Sequence, residues 1–221
     1  MLRIATSLIY QQSSKAINDR QVALAKVQQQ LATGNRILDH ADDPVGSARL
    51  LGLNEELGRY NQYQRNIDLA SGRLNVEDST LGDGGDLLQR ARELTLQANN
   101  DTLNTEDRGF IATEIRQLHS QMLNLANTRD GDGEYLFAGF KSHTQPFDAS
   151  GNYQGDQGQR SIQAGSYLDV PVGDSGQKVF ETDPSDPTKG VFATLDTLAD
   201  ELESPSANFH NVMADTLTRL D

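Results

Sequence analysis

The sequence predicts a mainly α-helical fold, long antiparallel helices in a coiled-coil-like bundle, with a small β-rich domain inserted. Three observations predict it. Apolar residues recur every seventh position through much of residues 10–88, a 3-4 apolar spacing follows after residue 104, and beyond residue 127 both give way to Gly, Asp, Ser and Gln with short β-favouring runs. Composition agrees: the 221 residues are 36% hydrophobic and 6% aromatic, without Trp, at a mean hydropathy of -0.59. That is little apolar surface for a compact globule of this size and suits an elongated one.

The first forty residues are rich in Gln, Ala and Leu, and Tyr10, Ile17, Leu24 and Leu31 form a narrow helical stripe. One apolar contact per two turns is too little to hold a lone helix in water, so this segment is expected to order on assembly and to be disordered in the monomer. Thr33-Gly34-Asn35-Arg36 breaks the pattern. His40-Ala41-Asp42-Asp43-Pro44 then reads as a helix start, with Asp43 as N-cap and Pro44 at the first helical position. The helix that follows carries Leu53, Tyr60, Ile67, Leu74, Leu81 and Leu88 in one heptad register, with Leu50 and Leu57 in a neighbouring row. Gly82, Gly84 and Gly85 interrupt it, each costing about 1 kcal/mol against Ala, and predict a kink or break there.

Asn104-Thr105-Glu106-Asp107 opens a third helix with a capping residue and an acidic first turn, and Ile111, Ile115, Leu118, Met122 and Leu125 form its apolar face. Tyr135-Leu136-Phe137, Ser161-Ile162, Tyr167 to Val170 and Lys178-Val179-Phe180 are the β-favouring runs of the inserted domain. Asp183-Pro184-Ser185-Asp186-Pro187 reads as a linker, after which Val191, Leu195, Leu198 and Leu202 return to helical spacing, as do Phe209, Val212, Met213, Leu217 and Leu220. The expected organisation is a terminal assembly segment over 1–42, a helical core over 43–133, a β-rich insert over 134–190, and a return to the helical core over 191–221.

Charge and residue usage exclude several functions. With 19 Lys and Arg against 32 Asp and Glu, the net charge of -13 repels nucleic acid and anionic membrane surfaces, and neither is expected as a partner. The absence of Cys removes disulfides, thiolate zinc sites and thiol nucleophiles. No run approaches a membrane span, and the N-terminus lacks the features of a cleaved secretory signal. His40, His119, His143 and His210 are scattered without metal-ligand spacing, and His119 beside Leu118 reads as a helix-surface residue. Asp130-Gly131-Asp132-Gly133-Glu134 has the alternating oxygens of a calcium loop without its later ligands, and reads as a tight turn. Neither a phosphate-binding loop nor a GxSxG elbow occurs, so no enzyme, no metal, no catalytic residue and no cofactor is expected.

Three segments carry a resemblance. Gln30-Leu31-Ala32-Thr33-Gly34-Asn35-Arg36-Ile37 followed by Asp42-Asp43-Pro44-Val45-Gly46-Ser47-Ala48 resembles the N-terminal signature of the flagellin family. Leu125-Ala126-Asn127-Thr128, Gly133-Glu134-Tyr135-Leu136-Phe137-Ala138-Gly139-Phe140 and Pro146-Phe147 are similar to that family's hook-filament junction branch, the hook-associated proteins of type 3. Tyr153-Gln154-Gly155-Asp156 matches the start of its β domain. The resemblance implies an extracellular structural subunit of the bacterial flagellum that passes the flagellar type III export route without a cleaved signal. Implied partners are copies of itself in a ring, the hook-side junction protein, flagellin and a flagellar export chaperone. It also implies a C-terminal helix returning to pair with the N-terminal one; the sequence stops at Asp221, which predicts a fragment or a truncated form. Filament flagellin and an unrelated coiled-coil adaptor are the alternatives.

Overall fold

A computed structural model describes residues 2–39, 41, 43–181 and 190–220. His40, Asp42 and the linker expected over Asp183 to Pro187 lie outside the described residues. The chain divides into two compact units, Met1–Asn61 and Gln62–Asp221.

In the first unit, helix α1 runs Leu2–Thr33. The Thr33 hydroxyl donates to the Gln29 carbonyl at 2.8 Å, and Gly34 follows at φ 69°, the left-handed conformation in which glycine closes helices. Helix α2, Pro44–Ala98, begins where the Asp43 carboxylate accepts the Gly46 N–H at 2.8 Å, with Pro44 at the first helical position, which needs no amide donor. Its 55 residues are unbroken, so Gly82, Gly84 and Gly85 neither kink nor end it. Gly84 is buried, and a methyl on it would make an ordinary 3.7 Å contact with the Met122 sulfur, while Gly82 and Gly85 lie in open space. A cost of about 1 kcal/mol per glycine is too small to interrupt a helix that propagates cooperatively on both sides.

In the second unit, α3 (Thr105–Ala126) is capped by Asn104, whose side chain accepts the Asp107 N–H at 2.8 Å, with Glu106 and Asp107 favourably placed in the first turn. Helices α5 (Val191–Glu203) and α6 (Phe209–Arg219) complete the helical set. One core cluster joins four helices: Leu94 and Ala98 of α2, Ile111 and Ile115 of α3, Leu195 and Leu198 of α5, and Phe209 and Met213 of α6. A second cluster, around Phe137, Phe147, Phe180 and Phe192, fixes the inserted residues against Met122 and Ala126 of α3.

The insert holds less strand than its β-favouring runs predict. Strands β1 (Ser161–Gly165) and β2 (Leu168–Pro171) form one antiparallel pair, irregular between Gln163 and Gly165. Lys178-Val179-Phe180 is helical instead, within α4 (Gly176–Phe180). The Ser175 side chain accepts the Lys178 N–H, and Lys178 pairs with Asp174 at 2.8 Å one turn away, so local capping overrides β propensity. Tyr135-Leu136-Phe137 makes a single bridge, Arg129 to Tyr135. Its N–H groups are satisfied by turn carbonyls, Tyr135 by Ser142 at 2.8 Å and Leu136 by Thr128 at 3.0 Å, and no ladder is required. The fold is thus mostly helical, with long helices and a small two-stranded sheet. His119 is not a surface residue: its side chain is 12% exposed, packed edge-on to Phe192 and 3.7 Å from Asp196 of α5.

Candidate assembly surface

The signature residues around the α1–α2 connection meet one another. Gln30 Nε2 donates to the Arg36 carbonyl at 2.6 Å, and the Arg36 guanidinium pairs with Asp43 at 3.0 Å. The Gly46 N–H, and then Arg36, hold the Asp43 carboxyl below its ordinary value. Ile37 lies so close to Gly46 that a side chain there would collide with it and with the Asp43 carboxylate. Thr33, Gly34, Arg36, Ile37, Asp43 and Pro44 therefore form a built turn; Asp42 lies outside the described residues.

Apolar side chains on both helices of this unit face solvent. Of the α1 stripe, Tyr10 is 73% and Leu31 85% exposed, and Ile17 and Leu24 are exposed as well. Val45, Leu50, Leu53, Leu57 and Tyr60 are exposed on α2. Further along α2, Ile67, Leu74 and Leu81 are less exposed than Leu53 and Tyr60, and Leu88 packs against the aromatic cluster. On α3, Ile111, Ile115, Leu118 and Met122 are buried and Leu125 is half-buried. The heptad residues thus differ in surroundings: those at 53, 60, 67, 74 and 81 have no place in this chain's own core, whereas the α3 face lies in it.

The segment Tyr135 to Gly139 is buried throughout. The Phe137 carbonyl accepts the Gly176 N–H at 2.8 Å and the Tyr153 hydroxyl at 3.0 Å, and its ring meets Phe180 edge-on at 5.3 Å. Burial pushes the Tyr153 hydroxyl up to about 12. Gly139 has φ 70° and lies against Asp156, whose carboxylate accepts the Phe140 N–H at 2.8 Å. Asn127 grips Phe147 in both directions, donating to its carbonyl at 3.1 Å and accepting its N–H at 3.0 Å. These residues lock the insert onto the helical core and leave no reactive group exposed among them.

Sequence reasoning did not single out the ionic cluster below them. Arg73 of α2 pairs with Asp130 at 2.6 Å and lies 3.6 Å from Glu134, which Arg160 also pairs with. Asp130 meanwhile accepts the Asp132 and Glu134 N–H groups at 3.0 and 2.9 Å, which accounts for the Asp-Gly-Asp-Gly-Glu run as a turn. Buried Glu77 accepts the Asp174 N–H at 2.9 Å, and burial raises its carboxyl. Partners so far apart in the chain carry no local pattern. Among the described residues no group of three or more His, Asp or Glu could hold a metal ion, and no helix is long and apolar enough to cross a membrane.

Long helices, a small two-stranded antiparallel insert and apolar heptad residues left exposed define a mostly helical protein of the long-helix class. The model of the bacterial flagellin N-terminal helical region matches residues 4–142. Flagellar hook-associated protein 3 of Salmonella typhimurium is 32% identical over 214 residues, 92% of this chain and 68% of the relative. Its counterpart in Escherichia coli is 33% identical over 217 residues, 94% of this chain and 68% of the relative. Among solved structures, the flagellar junction protein FlgL of Legionella pneumophila is 37% identical, covers 62% of this chain and 42% of its own, and has a TM-score of 0.53. The chain belongs to the flagellin family. Within it, the chain groups with the hook-associated proteins of type 3 and is a structural subunit of the hook-filament junction, an extracellular part of the flagellum, and not an enzyme.

Proposed function

We propose that copies of this chain form a ring between the hook-side junction protein and the first flagellin, after export by the flagellar type III route and delivery by an export chaperone. The observation that carries the reading is the solvent-facing stripe Tyr10, Ile17, Leu24 and Leu31 on the 32-residue helix α1. Burying one such side chain is worth about 1.5–3 kcal/mol, so neighbouring helices that cover the stripe convert a marginal helix into a stable one. Leu53, Tyr60, Ile67, Leu74 and Leu81 would be covered in the same way. Residues 1–42 then act as the assembly segment, 43–133 with 191–221 as the helical core, and 134–190 as the outward insert. The lack of cysteine and the thinly stabilised terminal helix suit passage as an unfolded chain.

Amide hydrogen exchange on the isolated chain tests this. Residues 1–40 should exchange close to the unprotected rate while Ile111 to Met122 of α3 are protected. Equal protection of the two segments in the monomer would refute ordering on assembly.

A further inference from the structure

A cavity of about 350 Å³ opens in the second unit between α2, the turn at 130–134 and β1. Leu69 and Val76 of α2 and Ile162 of β1 supply its apolar wall. Gly72 lies between Leu69 and Val76 along α2, and a methyl on it would meet nothing within 4 Å. A glycine inside a helix costs about 1 kcal/mol against Ala; here it leaves the cavity floor open.

The polar lining is unevenly matched. Arg73 and Arg160 line the cavity, but Asp130 and Glu134 pair with them. Asp68 accepts a hydrogen bond from Gln64 at 3.0 Å, and neither Asp68 nor Asp132 meets a cation among the described residues. Two unmatched carboxylates beside an aliphatic wall fit a cation on an aliphatic stem, the shape of an Arg or Lys side chain. An anion would face the same two carboxylates.

Charge distribution names the source. Residues 1–61 hold seven Lys and Arg against six Asp and Glu, whereas residues 62–221 hold 12 against 26, a net charge of -14 beside a near-neutral unit. Two acidic units repel each other, so the complementary surface on a second copy is its first unit. There Arg49 is exposed, makes no ion pair among the described residues, and lines a groove with exposed Leu50 and Leu53.

We propose that this cavity receives a basic side chain from residues 1–61 of a neighbouring copy, Arg49 foremost, with its stem on Leu69, Val76 and Ile162 and its charge between Asp68 and Asp132. The inference rests on the ring reading above. Two unlike, complementary patches on one chain make a heterologous contact, which closes into a ring when the rotation between copies permits.

The absence of native cysteine makes the test direct. The full chain carrying Arg65→Cys, an exposed position one turn before Leu69 on α2 and outside the cavity lining, is labelled with a benzophenone photo-cross-linker and irradiated, and the adducts are mapped by mass spectrometry. The expected product joins position 65 to a peptide within residues 1–61 of a second copy. Its yield should drop several-fold with Gly72→Leu, which plugs the cavity, with Asp132→Lys, and at high salt. Mixing Asp132→Lys chains with Arg49→Glu chains should restore part of it. Adducts that map to residues 62–221, or that persist with Gly72→Leu, would overturn the cavity assignment and leave the ring standing. Absence of any adduct between copies at concentrations where the chain sediments as an oligomer would overturn the cavity assignment alone, and a chain that stays monomeric at every concentration up to its solubility limit would overturn both.

Discussion

Phe147→Ala should destabilise the second unit by about 4 kcal/mol, within the range of roughly 3–5 for deleting a buried aromatic ring. Phe147 is fully buried, and its ring lies 5.0 Å from that of Phe192, 5.2 Å from Tyr153 and 5.4 Å from Phe180. Loss of transfer free energy accounts for about 2–3 kcal/mol, and the unfilled space and lost ring contacts for the rest. The two bonds to Asn127 use the backbone of Phe147, so the substitution leaves them in place and isolates the ring. Urea unfolding followed by tyrosine near-ultraviolet circular dichroism reads the loss, since the chain has no Trp. Phe147→Leu, which keeps most of the volume, should cost about 1–1.5 kcal/mol. A double-mutant cycle with Phe192→Ala should show a coupling of about 0.5–1.5 kcal/mol, because Phe192 belongs to α5 and the pair ties the insert to the helices. A loss below about 1 kcal/mol for Phe147→Ala at unchanged denaturant slope would refute the idea that this ring holds the insert in place.

Gly139→Ala should cost at least about 1–2 kcal/mol from the left-handed backbone alone, and more from collision with Asp156, whereas Gly85→Ala, in open space on α2, should be neutral or stabilising by up to about 1 kcal/mol. Thermal unfolding of the two variants side by side checks the contrast. Acid should weaken the fold through Glu134, whose carboxyl the bond from Arg160 holds below the ordinary 4.5. A lowered folded value means stability present above the unfolded value and lost as pH falls through the folded one, so Glu134→Gln should show a shallower loss below about pH 4.5. Glu77 has the opposite sign: burial raises it, and its contribution is lost as pH rises through the folded value. Glu77→Gln keeps an acceptor for the Asp174 N–H and should be the more stable form at pH 7, the gap closing at about pH 4 in the same urea midpoints.

What the sequence made legible was local. The Asn104 cap, the Asp43-Pro44 start and the 3-4 apolar face of α3 each involve residues within a turn or two of one another, and short-range physics decides them. Gly82 to Gly85 misled because about 1 kcal/mol per glycine is a local cost, which the cooperative continuity of a 55-residue helix outweighs. Lys178 to Phe180 misled in the reverse direction: the β-favouring side chains were visible, but Ser175 and Asp174 just upstream settle the backbone. The Arg73, Asp130, Glu134 and Arg160 cluster had no signal, since those residues become neighbours only when the insert folds against α2. The Tyr135 to Gly139 segment was legible as a family mark. Its structural work, a buried carbonyl accepting from Gly176 and Tyr153 and a positive-φ glycine against Asp156, was not.

The heptad on α2 connects the fold to the proposed assembly. A seven-residue apolar repeat on a helix of 3.6 residues per turn drifts by roughly 20° per heptad, so neighbours that follow it must supercoil left-handed. Leu88 at one end of the repeat already packs in the chain's own aromatic cluster, Leu81 and Leu74 are partly uncovered, and Leu53 and Tyr60 at the other end face solvent. One register therefore serves two kinds of contact, an internal one where the insert closes over it and an open one toward residue 53. A substitution at Leu88 should act on the stability of the single chain. A polar substitution at Leu53, which removes almost nothing from that chain's core, should act on assembly alone, because the side chain acquires neighbours only when another copy supplies them.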